Sequence, residues 1–297
     1  ALHRTAIQYR FDPVAANQMD TINVAVHFSR DCVIGGIAPG SFADLVIIPD
    51  VQTIDAQMVI CSGSVVANKG TLLSAPRRHT FTTPSMNSIN LPRDMKPSDF
   101  IIRTDSKTSH VKVRIIDMVT DLVTAELTMQ WPVINGRINS DVDQDVIKVA
   151  AIDRTHNPGN IYVGLIKGYG LKSGAMACSS AWDTSDIIVV GADDADMAGA
   201  VNRIRALQGG AVVYENGEIL AELPLPIFGV MSDLPIETIA DRLQEIKIAV
   251  SDLGVAFPDP LLTLITLTGA AIPYLRICEE GLVNLKDGRT VELIIRS

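Results

Sequence analysis

The run "IIVVGADDADMAGAVNRIRALQGGAVVYENGEILAEL", Ile187 to Leu223, admits few folds. Ile187 to Val190 is a continuous apolar strand stopped by Gly191, the pattern of a strand buried on both faces. Met197, Val201, Ile204 and Leu207 then recur at helical spacing, with Asp193, Asp194 and Asp196 at the start and Gly209 at the stop. Acidic groups favour a helix N-terminus and glycine its C-terminus. A second apolar strand follows, and Asn216-Gly217 turns it into a hairpin, because both residues tolerate the positive φ of a type I′ turn. Strand, helix and strand in this order predict a βαβ crossover, which is right-handed in nearly all proteins. The class is therefore α/β.

The surrounding sequence extends the sheet. "FIIRTD", "HVKVRIIDMV" and "AELTMQW" read as short strands, and "SDVDQDVIKVAAIDR" supplies another. The clearest helix is "PIETIADRLQEIKIAVSDLG". Ser232 or Asp233 is its expected cap, Pro235 lies in its first turn and Gly254 closes it. Ile236, Ile239, Ala240, Leu243, Ile246, Val250 and Leu253 form the expected buried face.

The first third reads differently. Leu2 to Phe28 is helical, with a fresh helix start at Asp12-Pro13. "GGIAPGSFADLVIIPD", Gly35 to Asp50, then reads as a hairpin turning at Pro39-Gly40 and ending in the strand Leu45 to Ile48. "AQMVICSGSVVANKG" is a second hairpin with its turn at Ser62-Gly63-Ser64. Residues 71–98, rich in Pro, Ser, Thr, Asn and Arg, read as a linker, and a different domain is expected from about residue 99.

A length of 297 residues allows about two domains. Hydrophobic residues are 47% and charged residues 20%, an ordinary globular balance. Mean hydropathy is +0.25, yet no apolar run approaches the roughly 18 residues of a membrane span. A net charge of −9 leaves no footprint for nucleic acid. The N-terminus lacks the order of a secretory leader, and Cys32, Cys61, Cys178 and Cys278 are isolated. The expectation is a cytoplasmic protein with free thiols.

Local motifs exclude more than they identify. "DVDQDV" opens like a calcium loop but has Val146 where glycine is needed and Ile152 where glutamate is needed. "GYGLKSG" misses the dinucleotide spacing by one residue. Ser179 and Ser180 lack a nucleophile elbow. His3, His27, His79, His110 and His156 are scattered, so no metal ligand pair is built by local spacing.

Two stretches carry a resemblance. "INVAVHFSRDCVIGGIAPGSFADLVIIPD" followed by "VICSGSVVANKG" resembles the segment leaving the metal-binding barrel of amidohydrolases, where the last barrel helix precedes a hairpin of a small β-sandwich. "DRTHNPGNIYVGLIKGYGLKSGAMACSSAWDTSDIIVVGADDADMAGAVNRI" and "GGAVVYENGEILAELPLPIFGVMSDLP" are similar to the carboxy-terminal domain of bacterial and archaeal adenine deaminases. The resemblance implies an α/β (mixed) chain in three parts. Residues 1–28 would be the last helices of an amidohydrolase (β/α)8 barrel, 29–75 its β-sandwich strands, and 76–297 the carboxy-terminal α/β domain. Most of the barrel would then lie before Ala1.

The same resemblance implies hydrolysis of adenine to hypoxanthine and ammonia by a metal-activated hydroxide. The divalent metal (Mn, Fe or Zn) would sit on the barrel, this chain alone would bind no metal, and the assembly would be a homo-oligomer. Where the family commonly reads His-Asp-Ser-His-Asn before the apolar strand, this sequence has Trp182-Asp183-Thr184-Ser185-Asp186 and keeps only the aspartate. Asp183 is thus the catalytic candidate, with a turn or cap residue as the equal alternative. Trp182, Ser179 and His156 are candidate substrate contacts. Trp182 could stack on a purine or pack between domains, His156 could reach a ligand or bond nearby backbone, and Ser179 could satisfy local hydrogen bonds. Deamination of another aminopurine, or a non-catalytic binding or oligomerisation module, remains a rival reading; residues encoded before Ala1 would discriminate.

Overall fold

The computed structural model describes residues 2–75, 79–105 and 107–295. The chain divides into two compact units, Ala1–Thr80 and Phe81–Ser297.

The first unit begins with helices α1 (Leu2–Gln8), α2 (Pro13–Asp20) and α3 (Ile22–His27). The α2 start is the one expected: Asp12 accepts the Ala15 amide at 2.9 Å and Pro13 follows in the first turn. An antiparallel sheet comes next, with β1 (Leu45–Ile47), β2 (Met58–Cys61), β3 (Ser64–Asn68) and β4 (Thr71–Leu72) in sequential order. The β2–β3 turn at Ser62-Gly63 matches the reading of the sequence, both residues having positive φ. The hairpin expected at Pro39-Gly40 is only a turn. Ser41 N–H donates to Ala38 O at 3.1 Å and Gly40 sits at φ +91°, but no strand among the described residues precedes it, and β1 pairs with β2 instead. Gly35 explains why. It lies at φ +91° so close to α3 that a Cβ would stand 2.6 Å from Ala25 Cβ, so the backbone is held turned rather than extended.

The second unit contains α4 (Thr83–Met86), β5 (Ile102–Arg103), β6 (His110–Met118), β7 (Thr124–Pro132), β8 (Arg137–Ile138), β9 (Val146–Ile152) and β10 (Ile161–Lys167). It continues with β11 (Ala175–Cys178), β12 (Ile187–Gly191), α5 (Asp194–Leu207), β13 (Gly210–Glu215) and β14 (Glu218–Pro224). Helices α6 (Ile236–Asp252) and α7 (Pro260–Ile265) and strands β15 (Leu275–Cys278), β16 (Gly281–Asn284) and β17 (Arg289–Val291) complete it. Eight strands form one mixed sheet in the order β14-β13-β11-β12-β9-β10-β6-β7. Strand β11 is antiparallel to both β12 and β13, so those two are parallel and α5 links them as a βαβ unit with β11 lying between.

The central strands are almost wholly apolar because both faces are covered; the exception is Lys148 of β9, which is buried and paired with Asp194 at 2.6 Å. Ile147, Val149 and Ala151 of β9, with Ile188 and Val190 of β12, enter a core shared with Ile246 and Val250 of α6, Leu264 of α7, and Leu275 and Ile277 of β15. Their alternating neighbours Ala150, Ile152, Ile187 and Val189 enter a second core with Met197, Val201 and Ile204 of α5. Ile89, Leu91, Met95 and Phe100 belong to that second core. The stretch read as a linker up to residue 98 is therefore, in its later part, a buried covering of α5 and the sheet. Its turn-rich composition concealed three spaced apolar anchors, Ile89, Leu91 and Met95.

Helix α6 also departs from expectation. Pro235 occupies the cap position without a side-chain cap bond, while Ser232 Oγ accepts only from Leu234 N. Ile246, Val250 and Leu253 are buried as expected, but Ile236 is 71% and Leu243 39% exposed, and Ala240 is exposed too. In the N-terminal half of the helix only Ile239 of the expected face packs, half-buried, against the core. No helix among the described residues is long and apolar enough to cross a membrane.

Candidate functional site

Strand pairing gathers several loops at one end of the large sheet. Ile152, the last residue of β9, pairs with Ile161 at the start of β10 and Ile187 at the start of β12. Cys178, the last of β11, pairs with Ile188 and with Ala211 of β13. Loop 153–160 and loop 179–186 thus emerge side by side, and β15 packs on β9, bringing in the turn at Glu279. All four residues singled out from the sequence, His156, Ser179, Trp182 and Asp183, lie on the first two loops.

Their surroundings differ. Ser179 is buried, and its hydroxyl donates to Gly229 O at 2.6 Å and accepts Gly210 N–H at 2.9 Å. That hydroxyl bonds backbone. Trp182 is 44% exposed, with its own amide donating to Ile265 O at 2.9 Å and its carbonyl accepting Thr268 Oγ1. Asp183 is exposed, at φ +61°, and its Oδ2 accepts the Ala270 amide at 2.7 Å. The two residues are thus tied to the end of α7 and the segment after it, with the indole and the other carboxylate oxygen of Asp183 taking no part in these bonds. His156 is exposed, and its amide donates to Asp153 Oδ1 at 3.0 Å.

Beneath this rim lies a charged layer that the sequence reading did not single out. Asp153 is buried and accepts the amides of Thr155, His156 and Asn157 at 2.7, 3.0 and 2.5 Å. Burial pushes its carboxyl up, but these three amides together outweigh burial and hold it below the usual carboxylate range. Arg154, 4% exposed, donates through Nη1 to Ser88 O and through Nη2 to Phe228 O, both at 3.1 Å, while Nε has no partner. Burial lowers its pKa. Gly229 closes over the guanidinium: it sits at φ +71°, and a Cβ there would stand 3.0 Å from Arg154 Cζ. Asp186 is 2% exposed, and its Oδ2 receives no hydrogen bond. Burial first, then the Glu279 carboxylate beside it, pushes Asp186 up to about 7. One sign was available in the sequence: "AAIDR" and "TSDIIVV" place charges directly at the ends of fully apolar strands, where a side chain is carried into the core edge.

Apolar groups accompany this layer. Phe228, Val230 and Met231 are exposed on the loop whose Gly229 receives the Ser179 hydroxyl. A cavity of about 780 Å³ lined by Arg103, His110 and Lys112 belongs to another part of the unit and shares no residue with these loops. Among the described residues, no group of three His, Cys, Asp or Glu side chains converges so that it could hold a metal ion.

A rigid mixed sheet with polar and aromatic side chains on the loops at one end is an α/β domain of the kind that carries a binding or catalytic edge on a fixed support. The family described as Adenine deaminase C-terminal domain matches residues 121–289, and the chain belongs to that family. Relatives named adenine deaminase include one from Moorella thermoacetica, 35% identical over 292 residues, which is 98% of this chain and 49% of the relative. Another, from Kosmotoga olearia, is 36% identical over 98% of this chain and 50% of the relative. A third, from Dehalococcoides mccartyi, is 36% identical over 96% of this chain and 49% of the relative. The chain spans about half the length of the curated relatives it matches.

Proposed function

We propose that the chain is the carboxy-terminal part of an adenine deaminase, and that the loops at the sheet end face the purine. The observation that carries this reading is the family match over residues 121–289, together with relatives of that name along nearly the whole chain. In the reaction, water adds at C6 of adenine, the bond from C6 to the exocyclic nitrogen breaks, and ammonia and hypoxanthine leave.

A divalent metal (Mn, Fe or Zn) would lie on the barrel portion of the same enzyme. The donors of this chain do not fit one, since no three of the described His, Cys, Asp or Glu side chains converge, so no step is assigned to a metal here. What this chain's residues offer is recognition. Asp183 presents a carboxylate oxygen that can accept an N–H from the purine edge, and Trp182 presents a flat apolar face suited to a ring. His156 adds an imidazole on the neighbouring loop. Ser179 supports them from below by holding Gly229 and Gly210.

The barrel partner has support in the first unit. Residues 4–28, its helices and the turns between them, bury only Ala16 and Ala25 among the described hydrophobic residues and expose Tyr9, Phe11, Val14, Met19, Val24, Val26 and Phe28. An apolar surface of that extent is normally covered. The reading includes residues 1–28 as the end of a (β/α)8 barrel, 29–75 as sandwich strands, 76–297 as the carboxy-terminal domain, and a cytoplasmic homo-oligomer. The test is ammonia release by the intact protein on adenine, with guanine and other aminopurines in parallel. Turnover of adenine well above the others supports the reading; preference for another aminopurine replaces the substrate, and no turnover with any of them removes it.

A further inference from the structure

Arg276, on β15, is 1% exposed, and every hydrogen bond it makes among the described residues goes to a main-chain carbonyl. Nε donates to Ile272 O at 2.6 Å, and Nη2 donates to Leu122 O at 2.7 Å and to Pro273 O at 3.0 Å. Nη1 has no partner. A buried cation is costly unless it is paired, and apolar side chains of similar volume often serve a core as well or better. Burial lowers the guanidinium to about 10, so it stays charged at neutral pH, and its bonds to carbonyls are of the strong, charge-assisted kind. What those bonds secure is the segment between α7 and β15. That segment carries the ties to the exposed pair on loop 179–186. Trp182 N–H donates to Ile265 O, Thr268 Oγ1 donates to Trp182 O, and Ala270 N–H donates to Asp183 Oδ2. Gly269 runs beside the indole: a Cβ there would stand 3.8 Å from Trp182 Cε3. One end of the segment is fixed by α7. At the other end Arg276 grips two successive carbonyls and reaches Leu122 of the β6–β7 turn with the same fork, while Thr124 exchanges main-chain bonds with Pro273 and Tyr274.

We propose that Arg276 is a positioning residue for Trp182 and Asp183. By holding the carbonyls of Ile272 and Pro273 against the β6–β7 turn it fixes segment 266–274, and through that segment the place of the indole and of the carboxylate. The positioning stands on these bonds alone; its consequence for turnover rests on the reading that loop 179–186 faces a purine.

Only two tryptophans occur in the chain, so indole 15N resonances separate the loop from the sheet. Trp131, buried on β7 and bonded through Nε1 to Asn139 O at 2.9 Å, serves as the internal control. Arg276→Lys keeps the charge but replaces the planar fork with a compact point donor, so it should not hold all three carbonyls. Thr268→Val leaves Arg276 in place and cuts the segment's own bond to the Trp182 carbonyl. In both variants the Trp182 resonance is expected to shift or broaden while that of Trp131 stays. Either variant leaving Trp182 in its wild-type position overturns the proposal. So does equal movement of Trp131 in Arg276→Lys, which would make Arg276 a general support of the core. Should Arg276→Lys fail to fold, the proposal stands only if Thr268→Val still displaces Trp182 and the wild-type Arg276 Nε–H exchanges slowly with solvent at neutral pH; failure of either overturns it. In the intact enzyme Arg276→Lys should lower kcat/KM for adenine at least about tenfold. If Trp182 moves and turnover does not, the positioning holds and the purine-facing reading is what fails.

Discussion

Asp183 is the residue at which a structural and a chemical role can be separated by a single atom. It adopts φ +61°, a left-handed conformation that costs most side chains about 1–2 kcal/mol but that Asn and Asp accept readily. Its Oδ2 also accepts the Ala270 amide at 2.7 Å, a bond of about 0.5–1.5 kcal/mol. Asp183→Ala forfeits both and should lower stability by roughly 1.5–3.5 kcal/mol. Asp183→Asn keeps the acceptor and the conformation, so its stability should change by less than about 0.5 kcal/mol. What Asn loses is charge. If the free carboxylate oxygen meets the purine edge, Asp183→Asn in the intact enzyme should lower kcat/KM for adenine at least about tenfold, or about 1.4 kcal/mol. Urea unfolding of both variants and initial rates of ammonia release decide the matter. An Asn variant with full activity, or one as unstable as Ala, would falsify the reasoning and leave Asp183 as a turn residue.

Three further outcomes follow from the packing. Ile246→Ala, in the core beneath α6, should cost about 2–5 kcal/mol in denaturant unfolding, whereas the exposed Leu243→Ala should cost less than about 1 kcal/mol. Ser179→Ala leaves the buried Gly210 amide and Gly229 carbonyl without the hydroxyl and should cost about 1–3 kcal/mol; a loss under about 0.3 kcal/mol would mean water replaces it. Asp186 has its pKa raised in the fold, so the stability it contributes is complete below the ordinary carboxylate range near 4 and is lost as pH rises to about 7. Wild type and Asp186→Asn should therefore differ little at pH 4, with the Asn variant gaining steadily up to pH 7 and holding that gain above it. Thermal melts across this range would contradict the account if the gap stayed constant.

The βαβ unit was legible because its signals are local: an unbroken apolar strand, a helix with acidic start and glycine stop, and Asn216-Gly217 at the turn. The β2–β3 hairpin and the helix start at Asp12 were legible for the same reason. What periodicity could not tell was which neighbour covers a face. Ile236 and Leu243 continue the stripe of Ile246 and Val250 perfectly well, yet both are exposed. Likewise Ile89, Leu91 and Met95 sit in a stretch whose prolines and asparagines speak for a loop, and only the presence of α5 makes them core. At the candidate site the sequence singled out Trp182 and Asp183, and the structure leaves both exposed on loop 179–186. The buried charges Asp153, Arg154 and Asp186, with half-buried Glu279, were hidden because three separate stretches of chain meet only through the register of β9 with β12 and the packing of β15 on β9.

The central claim is that the sheet-end loops face the substrate, and hydrogen–deuterium exchange of the intact protein with and without a slowly processed purine analogue tests it most directly. The account predicts added protection in residues 153–160 and 179–186, with the rest of the second unit unchanged. Saturating analogue that leaves both loops exchanging as in the free protein, while protecting other segments, would contradict it.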